Sequence, residues 1–436
     1  MRRECRAILI AVLIAVALPA WAMQPPKRAP APPPQTLPAD EPAFRITPPA
    51  SYTAKRIALF PLEIPGYMLK ALLWPVGSTL EWMERNHYSD RVQDAISFKS
   101  HKIWIYPVVD KSPGTSFGGG VAVKVIDLFQ KGDNINADYR VHVNLDMFAD
   151  VSFRKDELFH IGGVPVALAF KGNWAKRGSF NFFGVGNNSL ESNQSSWAEN
   201  DLDATVRFGL KPIHTLSLYA ILGGSATSTG NASTQGIDPA NNPPRGYGRW
   251  LQYIRMGGGI THDTRDVTWN PRRGGIHSLE VSRFQYMGTG GNFSYNDYRL
   301  LLNQYIPLWS PDHTLMLRNY WWLEQQSSGG LPVPRMTVLD ADNWLRGFDQ
   351  GRFRDRSSVV FNAEYYFPLF RRVRGMMLVD YGRVFNGLSN FTFKDFKYSA
   401  GGGFDIELTR VIIARFRAAY GGEGVKFLLT LLRKQP

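Results

Sequence analysis

The chain has 436 residues and a formal net charge of +13, and its only cysteine is Cys5. One thiol excludes an intrachain disulfide and a metal site built from several cysteines. The positive charge would suit anionic lipid headgroups, acidic polymers or nucleic acid. Nucleic acid is not an expected partner, because the basic residues are spread along the chain and its first segment resembles an export signal.

The first 22 residues have the pattern of a secretory signal peptide. Arg2, Arg3 and Arg6 form a positive start, residues 7–18 an apolar core, and Ala20-Trp21-Ala22 a small-x-small cleavage site. The apolar core is too short to span a bilayer as a helix, and no later stretch reaches the roughly 20 apolar residues needed. A mature chain that crosses a membrane must therefore use β-strands.

Two further segments precede the strand-like part of the chain. Residues 23–50 are rich in Pro and Ala, which favours extended polyproline conformations and predicts a periplasmic linker. Residues 51–101 mix large apolar side chains with Lys and Glu, which predicts one or two amphipathic helices interrupted at Pro75. Such a helix could lie at the membrane interface or plug the mouth of a barrel. It could equally pack on the periplasmic rim.

From residue 102 onward, apolar residues recur with a period of two. Residues 139–147 and residues 396–408 each alternate apolar side chains with polar ones over a whole predicted strand. One face would meet lipid and the other water, which is typical of an outer-membrane strand. Alternating segments between turn signals number about 16, an even count as in bacterial single-chain barrels. We predict an all-β transmembrane antiparallel β-barrel over residues 102–436, preceded by a short amphipathic helical segment.

Four segments together resemble the bacterial surface antigen family, a BamA/TamA-like barrel superfamily that includes the transporters of two-partner secretion. The resemblance covers roughly residues 103–422. The segments are residues 182–189 with a Gly-Asn motif, a D-x-R-D…P-x-x-G turn motif (Asp263, Arg265, Asp266, Pro271, Gly274), the tripeptide Arg346-Gly347-Phe348, and an x-D-x-G wall motif ending at Gly382.

The resemblance implies that Arg346-Gly347-Phe348 is the tip of a long sixth extracellular loop that folds into the lumen. It also implies that Asp380, in the wall motif, receives the arginine. An unpaired guanidinium in poorly hydrated space costs several kcal/mol, so such a loop needs a carboxylate partner. Alternation turns Glu364 inward as a second candidate. We therefore expect Arg346 to bond to Asp380 with Glu364 nearby; the alternative for Arg346 is a solvated loop charge.

The turn motif has a simpler interpretation. Asp263, Arg265 and Asp266 are expected to organise a tight turn and a local salt bridge and not to carry out chemistry. No enzyme activity, cofactor or metal is expected. The eight histidines are scattered without the spacing of a catalytic triad or a metal site.

The resemblance implies a barrel in a Gram-negative outer membrane that acts in membrane biogenesis or in translocation through a loop-gated lumen. Its partners would be outer-membrane lipids and lipopolysaccharide, the barrel-assembly machinery, and a separate periplasmic protein that captures clients. The last is needed because the segment before the first strand is too short for the family's periplasmic modules. The C-terminus also departs from the family, since it does not end in an aromatic residue.

Two other functions remain open from the sequence. The first is a passive structural or adhesive surface barrel, whose polar loops, such as residues 225–249, would be the functional part. The second is a membrane-embedded hydrolase.

Overall fold

The structure is a computed structural model. It describes residues 69–431, apart from 72, 87–90, 92–93, 100–101, 130–131, 233–242, 269, 290, 327–329, 343 and 409–410. The predicted signal peptide, the Pro-rich linker and residues 51–68 of the predicted helical segment lie outside these residues. Among the described helices, none combines the length and the apolar content needed to cross a bilayer.

Sixteen antiparallel strands close into a barrel, which confirms the predicted fold class. Numbered from the short strand β1 (Ser97–Phe98), which lies outside the ring, the barrel strands are β2 (Ile103–Lys111), β3 (Gly118–Ile126), β4 (Asp133–His142), β5 (Met147–Ile161), β6 (Val164–Phe182), β7 (Ser195–Ile213), β8 (Leu216–Asn231), β9 (Trp250–Asp263), β10 (Gly274–Tyr286), β11 (Tyr295–Pro307), β12 (Thr314–Gln326), β15 (Ser357–Phe370), β16 (Val373–Phe385), β17 (Lys397–Leu408), β18 (Val411–Tyr420) and β19 (Val425–Leu431). Each barrel strand pairs with the next one along the chain, and β19 pairs with β2 to close the ring.

The remaining elements are short. Helix α1 (Trp74–Arg85) precedes the barrel, and single 3-10 turns occupy Glu191–Asn193, Val333–Arg335 and Leu388–Asn390. Strands β13 (Thr337–Leu339) and β14 (Phe353–Asp355) pair with each other within the long connection from β12 to β15. We call this connection, residues 327–356, the lumen loop.

The two faces of the barrel wall differ as the period-two pattern predicts. On β16, Val379 and Tyr381 are 52% and 41% exposed, whereas Asp380 between them is fully buried. Side chains in a strand alternate between faces, so Asp380 lies on the inner face and its neighbours on the outer face. The outer face is apolar and suits lipid, while the inner face holds the charged groups.

The seam where the ring closes has few residue pairs. Strands β19 and β2 pair at three positions, Leu429 to Leu431 against Val109 to Lys111, among the described residues. At the other end of β2, strand β1 pairs with Ile103 and Trp104. These two residues also pair with β3, so β1 occupies the edge of β2 that faces the seam.

The helical segment breaks beside Pro75: residues 69–71 are helical, Leu73 lies in a turn, and α1 then begins with Pro75 as its second residue. Proline is tolerated there because the first-turn N–H groups have no partner within the helix. Leu73 and Leu80 share an apolar cluster with residues of β15 to β19. This cluster lies at the short-turn end of the barrel, which is the end opposite the lumen loop.

The prediction of a single strand over residues 139–147 is wrong. Strand β4 ends at His142, and the chain then turns, with the Leu145 N–H donating to the His142 carbonyl at 2.8 Å. Val143 and Leu145 are 80% and 71% exposed in this turn. They continue the apolar alternation beyond the strand end, which is why the pattern alone does not reveal the turn. The strand predicted at residue 396 begins one residue later, at Lys397.

Candidate functional site

The lumen loop turns back into the barrel, and its tip meets the inner wall. Leu345 and Phe348 of the tip are buried, and they pack in one cluster with Val360 of β15 and Val384 of β16. The tip arginine, Arg346, is 8% exposed. Its guanidinium is thus removed from bulk water, where its charge requires partners.

Asp380 of β16 binds Arg346 through both of its carboxylate oxygens. The backbone N–H and Nε of Arg346 donate to Oδ2 at 3.0 and 3.1 Å, and Nη2 donates to Oδ1. Asn362 Nδ2 and Ser399 Oγ donate to the same carboxylate, each at 2.8 Å. Three neighbouring strands therefore contribute to one anion site. A bidentate arginine–carboxylate contact also fixes the orientation of the loop tip.

Glu364 of β15 is the second acidic partner of Arg346. Its Oε1 accepts from Arg346 Nη1 at 2.6 Å, and its Oε2 accepts from the hydroxyl of Tyr366. Burial opposes the charge of Arg346, but the carboxylates of Glu364 and Asp380 outweigh this effect and hold the pKa of Arg346 above its ordinary value. The guanidinium therefore stays charged at any physiological pH.

Two glycines of the expected site leave room for this contact. A Cβ on Gly382 would lie 2.7 Å from Leu339 Cδ2 of β13, so the missing side chain gives the loop space against β16. A Cβ on Gly347 would lie 2.5 Å from the backbone nitrogen of Gly421 and 2.6 Å from Ser399 Cβ. Both glycines serve close approach of backbone and loop.

A second arginine, Arg335, binds a different part of the wall. It lies in the first limb of the lumen loop, which is the part before the tip at Arg346. Its Nη1 donates to Thr227 Oγ1 of β8 at 3.0 Å, and its Nη2 donates to the Tyr295 hydroxyl of β11 at 3.1 Å. The guanidinium also lies over the rings of Tyr253 and Phe284, at 5.4 and 5.5 Å from their centroids. Cation–π contacts of this kind stabilise a partly desolvated cation.

Two further arginines anchor the returning limb of the lumen loop, which is the part after the tip. Arg352 Nη2 donates to the Ser189 carbonyl at 2.9 Å, and its Nε donates to the Glu423 carboxylate at 2.9 Å. Arg354 Nη1 donates to the Val333 carbonyl at 2.9 Å, and its guanidinium lies 5.0 Å from the Trp197 ring centroid. Burial lowers the pKa of Arg354. The lumen loop is thus anchored by side chains on several sides of the barrel.

The Gly-Asn motif at residues 182–189 contacts the same limb. The Gly186 N–H donates to the Arg354 carbonyl at 2.7 Å, with Gly186 at a φ of 106°. Asn187 Oδ1 accepts from the Val384 N–H at 3.2 Å, and its Nδ2 donates to the Asp395 carbonyl at 2.6 Å. The motif therefore joins the loop after β6 to the lumen loop and to β16.

The turn motif lies at the other end of the barrel. The Asp263 carboxylate pairs with Arg265 Nη2 at 2.7 Å. Asp266 Oδ1 accepts from the N–H groups of Val267 and Arg272 at 2.9 and 3.0 Å. Because strands alternate in direction, the turn from β9 to β10 and the lumen loop leave opposite ends of the ring. The structure therefore does not bring the turn motif to the Arg346 site.

Gly274 and the buried Pro271 complete this turn. Gly274 has a φ of +83°, in the left-handed region, and a Cβ there would overlap the Thr264 carbonyl oxygen. Glycine is the residue that adopts this conformation without strain.

The described residues contain no group of three or more His, Cys, Asp or Glu side chains that could hold a metal ion. A histidine does meet an acid on the inner wall, where His142 Nε2 lies 3.3 Å from Asp110 Oδ1. Arg140 also pairs with Asp110, at 2.8 Å, so this carboxylate belongs to a charge network of the wall.

Arg335, Arg352 and Arg354 are the anchors that the sequence-based site did not include. The signal that could have found them is the density of arginines in the loop, since Arg346 and Arg356 lie in the same 30-residue stretch. Arginines buried in a lumen must find acceptors or aromatic faces, so each is a candidate anchor.

Comparison with known proteins gives a family and a fold. A model described as the Omp85 superfamily domain matches residues 128–424. The search of curated proteins returned no match. Among solved structures, BamA from Haemophilus ducreyi lacking POTRA domains 1–3 is 13% identical with a TM-score of 0.56, and the match covers 76% of this chain and 70% of that one. At this identity the likeness shows a shared fold.

Two structures of CdiB are also similar. CdiB from Acinetobacter baumannii is 13% identical with a TM-score of 0.48, covering 76% of this chain and 60% of that chain. CdiB from Escherichia coli is 12% identical with a TM-score of 0.49, covering 77% and 63%. This chain therefore spans less than two thirds of the CdiB chains.

Proposed function

Since the chain belongs to the Omp85 superfamily, we propose that it is an outer-membrane barrel that acts in membrane biogenesis or translocation, with the lumen loop as the lock of its lumen. The observation that carries this proposal is the contact of Arg346 with Asp380 and Glu364. A Gram-negative outer membrane is the location that family membership implies.

The lumen loop acts as a lock because the buried Asp380 carboxylate is neutralised only while Arg346 is bound to it, which we call the seated state of the loop. Asp380 is fully buried, and withdrawal of Arg346 would leave its carboxylate in a poorly hydrated site. Breaking a buried ion pair from one side costs about 3–5 kcal/mol. Water entering the vacated lumen would offset part of this cost. The loop therefore has a seated state, and an unseated state that a client or partner must stabilise.

The same proposal implies the partners of this barrel. Its outer face would contact outer-membrane lipids and lipopolysaccharide, and the assembly machinery would insert it. The barrel and its loops, as far as the structure describes them, include no separate client-binding module, so another periplasmic protein would deliver any client. Residues 1–22 would direct export and then be removed.

Planar-bilayer conductance of the purified barrel tests the lock. Arg346→Ala should raise the frequency or size of open events and reduce the fraction of barrel that stays folded in unheated electrophoresis. Arg273→Ala, in the exposed β9–β10 turn, is the matched control and should behave like the original protein. Unchanged conductance and folding in Arg346→Ala would contradict the lock.

A passive structural or adhesive barrel is the second candidate, and one observation favours it. Arg335 and Arg346 hold the loop to wall strands, Arg352 binds Ser189 and Glu423 of neighbouring loops, and Arg354 lies over the Trp197 ring of β7, as expected of a permanent plug. The two functions differ in whether an unlocked barrel opens a path for ions. A folded Arg346→Ala barrel that still conducts no ions would favour the passive barrel.

A further inference from the structure

Helix α1 packs against the outer face of the barrel wall. Tyr365 and Phe367 of β15 belong to its cluster, and they alternate along the strand with Glu364, which faces the lumen. They are therefore on the outer face. A Cβ on Gly77 of α1 would lie 2.6 Å from the Phe370 ring, so the helix touches the wall directly.

Burial on this part of the wall is unusual for an outer face. Phe367, Leu369 and Val373 are 1–2% exposed. Outer-face residues at the same end of the neighbouring strands, Ile306 and Leu317, are 38% and 42% exposed. The apolar side of α1 thus covers the outer face at Phe367, Leu369 and Val373. Beside the helix, the outer face at Ile306 and Leu317 stays open to lipid.

The other sides of α1 differ from one another. At 3.6 residues per turn, Trp82 lies about 180° around the helix from Leu73, which packs on the wall. Trp74 and Trp82 are 65% and 54% exposed. Glu81 and Arg85 lie together on one flank, with their side chains 4.0 Å apart. Thr79 is exposed on the opposite flank.

We propose that α1 lies in the lipid interface at the short-turn end of the barrel, with Trp82 at headgroup level and the Thr79 flank toward the acyl chains. Three sides of the helix then match three surroundings. Leu80 and the preceding Leu73 meet the barrel wall, and the Glu81–Arg85 flank, which includes Trp74, meets water. Trp82, between this flank and the Thr79 flank, meets the headgroup region where this residue type accumulates. The exposed side of α1 therefore contacts a phospholipid leaflet.

The proposal goes beyond the lock, since it concerns the outside of the barrel and a different segment. It distinguishes between the placements that the sequence allowed. A helix plugging the lumen would contact inner-face residues such as Glu364, whereas α1 clusters with the residues that alternate with it.

Labelled cysteines test the depth of each flank. The sole cysteine, Cys5, lies in the predicted signal, so single cysteines can be placed in the mature chain without others. Thr79→Cys, Trp82→Cys and Arg85→Cys would each carry a small environment-sensitive fluorophore, with the full mature barrel folded into phosphatidylethanolamine–phosphatidylglycerol vesicles. Nitroxide lipids quench from within the bilayer, and iodide quenches from water.

The expected result is an order of depth. The label at Thr79 should be quenched several-fold more by nitroxide lipid than by iodide, the label at Arg85 should show the reverse, and the label at Trp82 should respond most to a headgroup nitroxide. Val379→Cys on the outer wall is the lipid control, and Ser192→Cys in the loop after β6 is the water control. Conductance and the folded fraction should remain those of the original protein.

Two results would overturn the proposal. Labels at Thr79 and Trp82 that behave like Ser192 would show a helix in water. Labels at all three positions shielded from both quenchers would show a helix covered by protein. Because none of these positions contacts the lumen loop, a failure here leaves the lock untouched.

Discussion

The carboxylate of Asp380 accepts five hydrogen bonds, and three of them come from Arg346, which lies 34 residues earlier in the chain. The other two come from Asn362 and Ser399 on the flanking strands. The site therefore remains polar without the loop, but it loses the cation that neutralises its charge. This difference makes Arg346 and Asp380 an energetic pair that can be measured.

A double-mutant cycle should detect that pair. Arg346→Met should lower the free energy of unfolding in urea by about 3–5 kcal/mol, because it leaves the buried Asp380 carboxylate without its cation. Asp380→Asn should lower it by less, because Arg346 keeps its contact with Glu364. The double variant should lose less than the sum, with a coupling of about 0.5–3 kcal/mol. Additive losses would show that the two side chains stabilise the barrel independently.

The space at Gly382 gives a steric prediction. Gly382→Ala places a Cβ within 2.7 Å of Leu339 Cδ2, so the loop strand β13 must shift away from β16. We expect overpacking of about 1–3 kcal/mol and a loop that proteases cut more readily in the folded barrel. Leu339→Ala should lessen the effect of Gly382→Ala, although alone it destabilises by leaving a cavity. Two independent losses would contradict the contact.

Arg335 should hold the first limb of the loop separately from the tip. Arg335→Met keeps an unbranched apolar side chain but removes the hydrogen bonds to Thr227 and Tyr295. We expect faster proteolysis within residues 330–340 and a loss of about 1–3 kcal/mol. Tyr295→Phe should add little in the Arg335→Met background. Arg273→Met serves as the control, and equal proteolysis in both arginine variants would exclude an anchor at Arg335.

The barrel could be predicted from the sequence because strand alternation is a local signal with a strong physical cause. Residues 397–406 and 373–385 alternate between the outer and the inner face of the wall, and both lie in strands. The prediction failed where Val143 and Leu145 extend the alternation through a turn. A turn is closed by backbone hydrogen bonds, and these do not appear in a pattern of side-chain polarity.

The candidate site was only partly accessible from the sequence. Arg346 and Asp380 stand in short motifs of known order, and alternation put Glu364 on the correct face. Arg335 stands in no motif, and although the density of arginines in the loop marks it as a candidate anchor, it does not identify the partner Thr227, which lies 108 residues away in the chain. Contacts between a loop and distant strands depend on how the ring closes, and neither propensity nor periodicity encodes that closure.

The turn motif should affect assembly and not the lock. Asp266 Oδ1 accepts backbone N–H groups from across its turn, and the Gly274 backbone lies against Thr264. Asp266→Ala should cost about 0.5–1.5 kcal/mol, because water takes the place of the lost acceptor at this exposed turn. Gly274→Ala should be more severe, because it adds a clash to a left-handed φ.

Both turn variants should therefore yield less folded barrel in a timed assembly reaction into lipid vesicles, and the slowing should be greater for Gly274→Ala. The molecules that do fold should show the conductance of the original protein, because the turn is at the opposite end of the ring from the lumen loop. Arg272→Ala, which keeps the backbone N–H that Asp266 binds, should assemble at close to the original rate. An altered conductance of the folded Asp266→Ala barrel would mean that a change in the turn alters the lumen loop through β9 and β10.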